Sequence, residues 1–371
     1  MSGARRVTLV GLLAGGHSGV PRYAACLARA LDEVSAEFPE LNLSLLTTRR
    51  GADAVGARSI DVRTLPLDAS WLNRGPGRIG AEQLAVRSAQ ADLLHFFDLT
   101  GPLLAPHRPF VATAHDLSLL HGYGRVLQLH KRKLIPWAAR RARAILSISQ
   151  FTKDELVRLL ALDPRKVTVI RSGPGLGRAA AADTPGRTPP QAPYLLFVGN
   201  LTDSKNLPFL IRAFSGSGGS ARLVLAGRPL ERYGEIVQAI ESSPRRAQIE
   251  LLHDASDADL ERLYAEATAL VLPSRYEGFG LTALEAMQRG CPVLASDIPA
   301  LREISGHGAE LLPVDDEGAW SDAIRRVVSD GGYRDELRER GAQAVRRYSW
   351  ERTARELCTL LRDLPLPVAP G

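Results

Sequence analysis

Short apolar runs recur along the chain, and stretches with apolar residues at helical spacing lie between several of them. Val7–Leu13 is the first run, and Val20–Leu31 after it sets its apolar positions three and four apart. Leu43–Thr47, Asp92–Phe97, Phe110–Thr113 and Ala144–Ser147 are the next strand candidates. The periodicity then lapses in the stretch RAAAADTPGRTPPQAP, which has little to bury and reads as a linker. It restarts with Tyr194–Val198, Ala221–Ala226, Gln248–Leu252, Ala269–Leu272, Pro292–Ala295 and Ala309–Leu312. Tyr348–Leu361 predicts a last amphipathic helix, with Trp350, Ala354, Leu357, Leu360 and Leu361 on one face.

Strands alternating with helices predict an α/β fold with parallel sheets. The interruption divides the chain into two Rossmann-like halves. These are residues 1–178, a Pro- and Ala-rich linker over 179–193, a second half over 194–347, and a closing segment over 348–371. No short repeat period is present, which excludes a solenoid.

A length of 371 residues agrees with two domains, each able to bury a core without disulfides. The net charge of +6 is a mild excess that suits anionic small molecules and does not demand nucleic acid. Cys26, Cys291 and Cys358 are far apart and lack metal-ligand spacing, which predicts reduced thiols and a cytoplasmic setting. The apolar run Val7–Ala14 is too short to span a bilayer and lacks a cleavage site, so it reads as a buried strand.

The chemistry concentrates in Arg275–Ala286, RYEGFGLTALEA. Pro273 ends a strand candidate and Thr282–Arg289 has helical composition, so Gly278-Phe279-Gly280 falls where a loop becomes a helix. Glycine lets backbone approach a ligand closely. The first amides of a helix lack intrahelical partners and carry the positive end of its dipole, which favours a phosphate. Glu277 and Glu285 flank this turn with seven residues between them. Taken alone, Glu277 reads as a helix cap and Glu285 as a solvated helical glutamate. Together they could address two ends of one extended ligand, since carboxylates accept bidentately from vicinal hydroxyls.

The segment PSRYEGFGLTALEAMQRGCPVLASDIPALREI resembles the retaining glycosyltransferases of family 4, which have the GT-B fold. Their signature is a glutamate, seven residues and a second glutamate in this setting. LLFVGNLTDSKNLPFLIRAF, ADLERLYAEATALVLPS, TAHDLSLL, ILSISQFTKDEL and YSWERTARELCTLL resemble further family segments, in the family's order, so the resemblance covers nearly the whole chain. It implies two domains facing across a deep cleft, with the nucleotide mainly on the second, the acceptor mainly on the first, and the last helix crossing back to the first.

By this resemblance Glu285 binds the ribose hydroxyls. Glu277 and His115 hold the transferred sugar as catalytic residues, with Gly278 and Phe279 beside them. Backbone near Phe279, Gly280 and Leu281 holds sugar and pyrophosphate. Lys205 pairs with the departing diphosphate, with Asn200 and Gly16 beside it. The family often carries an Arg near this Lys, whereas Asn200 and Ser204 stand there here. Arg171, Arg228 and Arg275 are unranked substitutes. Gly15, Gly16, Ser18 and Gly19 form a glycine-rich turn after the first strand that approaches the acceptor or the phosphates in the family. His95, also near a strand end, reads as a packed residue.

Asp257-Ala258-Asp259 reads as a helix start capped by Ser256 or Asp257, not as a metal ligand. No metal and no cofactor are expected. The basic stretch Lys131, Arg132, Lys133, Arg140, Arg141 and Arg143 reads as a solvated helix face, with contact to anionic lipid headgroups at the inner face of a membrane as the second reading. The expected reaction is sugar transfer from a GDP- or UDP-linked donor to a small-molecule, glycan or lipid-linked acceptor. Epimerase-like chemistry on a nucleotide sugar, and nucleotide-sugar binding without catalysis, are the alternatives.

Overall fold

The computed structural model describes residues 4–11, 19–65, 87, 89–99, 108–118, 120–121, 129–175, 193–230 and 232–365. Among these, the chain up to Gly173 and from Tyr348 onward forms one compact unit, and Pro174–Arg347 forms another.

The first unit is built on a parallel sheet of β1 (Arg5–Val10), β2 (Leu41–Thr48), β3 (Asp61–Leu65), β4 (Leu93–Phe96), β5 (Phe110–Ala114), β6 (Ala144–Ser147) and β7 (Val167–Val169). Their order is β3-β2-β1-β4-β5-β6-β7. In the centre, Val7 pairs with Leu43 on one side and Leu93 on the other. β4, β5 and β6 are buried along their whole length, as expected of strands covered on both faces. β3 and β7 are additions to the predicted set. They are short sheet edges, and β3 (DVRTL) buries none of its residues fully, so it lacks an apolar run.

Helices α1 (Gly19–Val34), α2 (Arg49–Val55), α3 (Leu129–Arg141) and α4 (Gln150–Leu160) join these strands. The closing helix, named α12 below (Trp350–Asp363), lies along α1 in this unit. The Ser349 side chain caps its first turn, and Arg355 pairs with Glu37 at 2.8 Å. A Cβ at Gly173 would come within 2.7 Å of the Trp350 backbone, so glycine is required where the chain passes under the helix.

The second unit holds a parallel sheet of β8 (Tyr194–Val198), β9 (Arg222–Ala226), β10 (Ile249–Leu252), β11 (Ala269–Leu272), β12 (Val293–Ser296) and β13 (Glu310–Leu312). Its order is β10-β9-β8-β11-β12-β13. The covering helices are α5 (Leu207–Ser217), α6 (Tyr233–Glu241), α7 (Asp257–Glu266), α8 (Leu281–Gln288), α9 (Pro299–Ser305), α10 (Glu317–Ser329) and α11 (Gly331–Val345). The predicted strands of this half agree with the observed ones to within a residue at either end; β8, β9, β11 and β12 are apolar runs buried almost throughout, whereas the outer strands β10 and β13 are only partly buried. Ser256 and Asp259 form a capping box at the start of α7, so the Asp257-Ala258-Asp259 triplet is a helix start.

Candidate active site

In a doubly wound sheet, ligands bind beyond the carboxyl ends of the strands where the strand order reverses. In the second unit that point lies between β8 and β11, paired through Leu195 with Ala269 and Leu196 with Leu270. The loop leaving β8 carries Lys205, and the loop leaving β11 carries Glu277. The two meet there, with Lys205 Nζ 2.6 Å from Glu277 Oε1. Ser274, wholly buried, donates its hydroxyl to the same oxygen at 2.7 Å.

The β11 loop is fixed on both sides. The Arg275 amide donates to the Ser204 carbonyl at 2.9 Å, tying it to the Lys205 turn. The Arg275 guanidinium donates twice to Asp315, at 3.2 and 2.9 Å, and Asn206 Nδ2 donates to Asp315 at 2.8 Å. Arg275, with Asn206 assisting, holds the Asp315 carboxyl below its usual range. Asn206 and Asp315 both adopt left-handed backbone, at φ 55° and 63°, a strain that this three-way tie helps hold.

Gly280 sits at φ 105°, which only glycine adopts readily, and α8 starts directly after it. The first intrahelical bond runs from the Ala283 amide to the Gly280 carbonyl, so Leu281 and Thr282 bring helix-start amides to this turn. Phe279, just before Gly280, is buried. Asn200 is partly exposed at the start of the β8 loop.

Glu285 differs from what the sequence leads one to expect of a ligand-binding carboxylate. It is wholly buried in α8, and the hydroxyl of Tyr264 on α7, also wholly buried, donates to its Oε2 at 2.9 Å. One turn on, Arg289 reaches Glu261 of α7 at 3.1 Å. Tyr264, Ser274 and Asp315 were not singled out from the sequence. The usable signal was chemical: a glutamate amid apolar helix residues needs a donor, and a core tyrosine needs an acceptor.

In the first unit, His115 follows β5 and its Nε2 lies 2.7 Å from the Phe97 carbonyl oxygen. A carbonyl only accepts, so Nε2 carries the proton and Nδ1 keeps the lone pair. Burial pushes the His115 pKa down, against the Phe97 carbonyl, Asp98 and Asp116, which favours the neutral ring. The Tyr23 ring meets the imidazole edge-on at 4.6 Å and the Trp350 ring at 5.4 Å. His95 is wholly buried, with Nε2 3.0 Å from the Thr113 hydroxyl, and is a packed residue.

Gly15, Gly16 and Ser18 lie outside the described residues, and Gly19 opens α1. On α3, Lys133, Arg140 and Arg141 are exposed, as is Arg143 just beyond it, while the side chains of Lys131 and Arg132 lie outside the described residues. Among the described residues no helix is long and apolar enough to cross a membrane.

Residues 182–344 match the family model for glycosyl transferases group 1, and residues 17–174 match that for Glycosyltransferase Family 4. The chain is 30% identical over 303 residues to the O-antigen chain mannosyltransferase B of Escherichia coli, covering 76% of this chain and 79% of that one. It is 30% identical over 336 residues to the glycogen synthase of Mycobacterium tuberculosis, covering 86% and 75%. Among solved structures, sucrose-phosphate synthase from Thermosynechococcus elongatus is similar with a TM-score of 0.75 at 20% identity, over 97% of this chain and 99% of that one. HepE of Anabaena, solved in complex with UDP and glucose, is similar with a TM-score of 0.73 at 18% identity, over 96% and 99%. This likeness identifies the fold as GT-B.

Proposed function

The chain belongs to the glycosyl transferases group 1, family 4, and transfers a sugar to an acceptor; on that premise we propose that its donor is a GDP- or UDP-linked sugar and that the anomeric configuration is retained. The observation that carries this reading is the meeting of Lys205 and Glu277 at the switch point of the second sheet, beside the amides that start α8.

In the proposed reaction the bond from the anomeric carbon to the diphosphate oxygen breaks, and its electron pair leaves with the diphosphate. The acceptor oxygen bonds to the same face of the sugar, and its proton passes to a departing phosphate oxygen. Lys205 and the amides of the Phe279–Leu281 turn stabilise the charge growing on the diphosphate. Protein groups meet that charge without a bound metal, so a chelator leaves turnover unchanged.

Glu277 accepts from the sugar hydroxyls; in the first unit, the His115 Nδ1 lone pair is an acceptor for a hydroxyl. Glu285 binds the ribose, since a desolvated carboxylate gains from each donor brought to it. The acceptor is held by the first unit, around Gly15–Gly19 and His115.

A thermal-shift panel of UDP, GDP, ADP and dTDP sugars tests the donor assignment. A ligand that binds only the native state stabilises it by RT ln(1 + [L]/Kd), so the correct base stands out. A chain whose unfolding midpoint none of them moves does not use a nucleotide-sugar donor.

A further inference from the structure

A diphosphate that gains charge as it leaves needs more cation than Lys205 offers, because Glu277 already matches that lysine at 2.6 Å. The β8 loop carries no arginine from Val198 to Leu207. Arg275 is committed to Asp315 by two hydrogen bonds. Arg232 is committed to Glu235 at 2.6 Å and approaches Asp203 at 3.6 Å. Arg171 belongs to the other unit.

Arg228 is placed differently. It follows β9, whose carboxyl end neighbours that of β8. The two loops lie back to back: the Leu201 amide donates to the Arg228 carbonyl at 2.8 Å, and Leu201 bridges to Pro229. A Cβ at Gly227 would overlap the Gly199 carbonyl, so these loops touch through bare backbone. The Lys205 Cε lies 4.0 Å from where a Cβ at Gly199 would stand. Lys205 and Gly227, the residue just before Arg228, thus both adjoin Gly199. The Arg228 side chain is 54% exposed, and its carboxylate neighbour, Asp254, is 3.9 Å away and itself 86% exposed. Such a contact is worth little and is readily given up.

We propose that Arg228 is the second cation of the diphosphate subsite, supplied from the β9 loop to the same phosphates that Lys205 meets from the β8 loop. This rests on the reading of the site as one for nucleoside diphosphates. A guanidinium offers a planar pair of donors that matches phosphate oxygens, which the ammonium of Lys205 does not.

Calorimetric titration of the full chain with UDP and GDP, and with UMP and GMP, tests the assignment in the wild type, Arg228→Gln and Arg228→Lys. Charged hydrogen bonds of this kind set the expected loss of diphosphate affinity in Arg228→Gln at roughly ten- to hundredfold, with monophosphate affinity changed less than about twofold and part of the loss recovered in Arg228→Lys. The unfolding midpoint of Arg228→Gln without nucleotide should match the wild type, because the side chain is exposed. Equal diphosphate affinity in wild type and Arg228→Gln overturns the proposal, as does an equal loss for mono- and diphosphates. Should Arg228→Gln fail to fold, wild-type diphosphate affinity in Arg228→Lys with no rise in its salt sensitivity overturns it as well. A wild-type chain that binds neither diphosphate instead overturns the GDP- or UDP-sugar reading beneath it.

Discussion

Replacing Glu277 by glutamine separates nucleotide binding from sugar handling. Lys205 and Glu277 are 2.6 Å apart, and their side chains retain 19% and 14% of their exposure. At an effective dielectric of about 20, the Coulomb attraction at that separation is roughly 6 kcal/mol. Desolvation offsets most of it, and the net coupling lies between the ~0.5 kcal/mol of surface pairs and the ~3–5 kcal/mol lost when a buried pair is broken, so about 2 kcal/mol. A diphosphate that recruits Lys205 has to loosen this pair. Glu277→Gln removes the competing charge and keeps an oxygen for Ser274. Its affinity for the bare nucleoside diphosphate should therefore rise about tenfold, which corresponds to 1.4 kcal/mol. Its turnover of the nucleotide sugar should fall by about a hundredfold or more, because the sugar loses a charged acceptor in the transition state. Lys205→Met should instead weaken diphosphate binding about tenfold. Calorimetry on both variants, alongside initial rates, gives the comparison. If Glu277→Gln and Lys205→Met weaken diphosphate binding alike, the competition between carboxylate and diphosphate for Lys205 does not exist.

Three other outcomes follow from the same geometry. Tyr264→Phe removes the donor to the buried Glu285 and should cost about 1–3 kcal/mol of stability; if Glu285 binds ribose, it should also weaken binding of a ribonucleoside diphosphate but not of its 2′,3′-dideoxy analogue, and an equal loss for both would leave Tyr264 a purely structural residue. Burial, helped by the neighbouring His115, holds His95 down to about 3 from 6.5, so the unfolded chain takes up a proton below about 6.5 and the native one only near 3; stability of the first unit should fall by roughly 2 kcal/mol from this group between pH 6.5 and 5, and urea titrations of His95→Gln with an unchanged pH slope would contradict it. The exposed basic face of α3, with Trp137 between Lys133 and Arg140, should bind phosphatidylglycerol vesicles and not phosphatidylcholine ones; sedimentation that Arg140→Glu with Arg141→Glu leaves intact would refute contact through this face.

The fold was legible where burial was two-sided. β8 and β11 begin and end where their apolar runs do, because every residue of each is buried. β3 was hidden because a short edge strand exposes polar residues on both faces and breaks the run. In the site, the helix-start turn at Gly280 and both glutamates were readable from one local motif. The contact of Lys205 with Glu277, 72 positions apart in sequence, was not, since it depends on β8 and β11 being neighbours. The orientation of Glu285 was hidden too. A helix of Ala, Leu, Glu, Ala and Met does not say which face the glutamate takes; the hydrogen bond from Tyr264 on the neighbouring helix shows it.

Sugar transfer itself is read by mass spectrometry of the acceptor pool, with release of nucleoside diphosphate followed in the same reaction. The purified chain is supplied with the nucleotide sugar that stabilises it most. Each diphosphate released should be matched by one sugar residue gained on an acceptor, an α-linked donor should give an α-linked product, and Glu277→Ala should abolish both signals while remaining folded. Donor consumption with no acceptor gaining mass, or full transfer by folded Glu277→Ala, would contradict the proposed reaction.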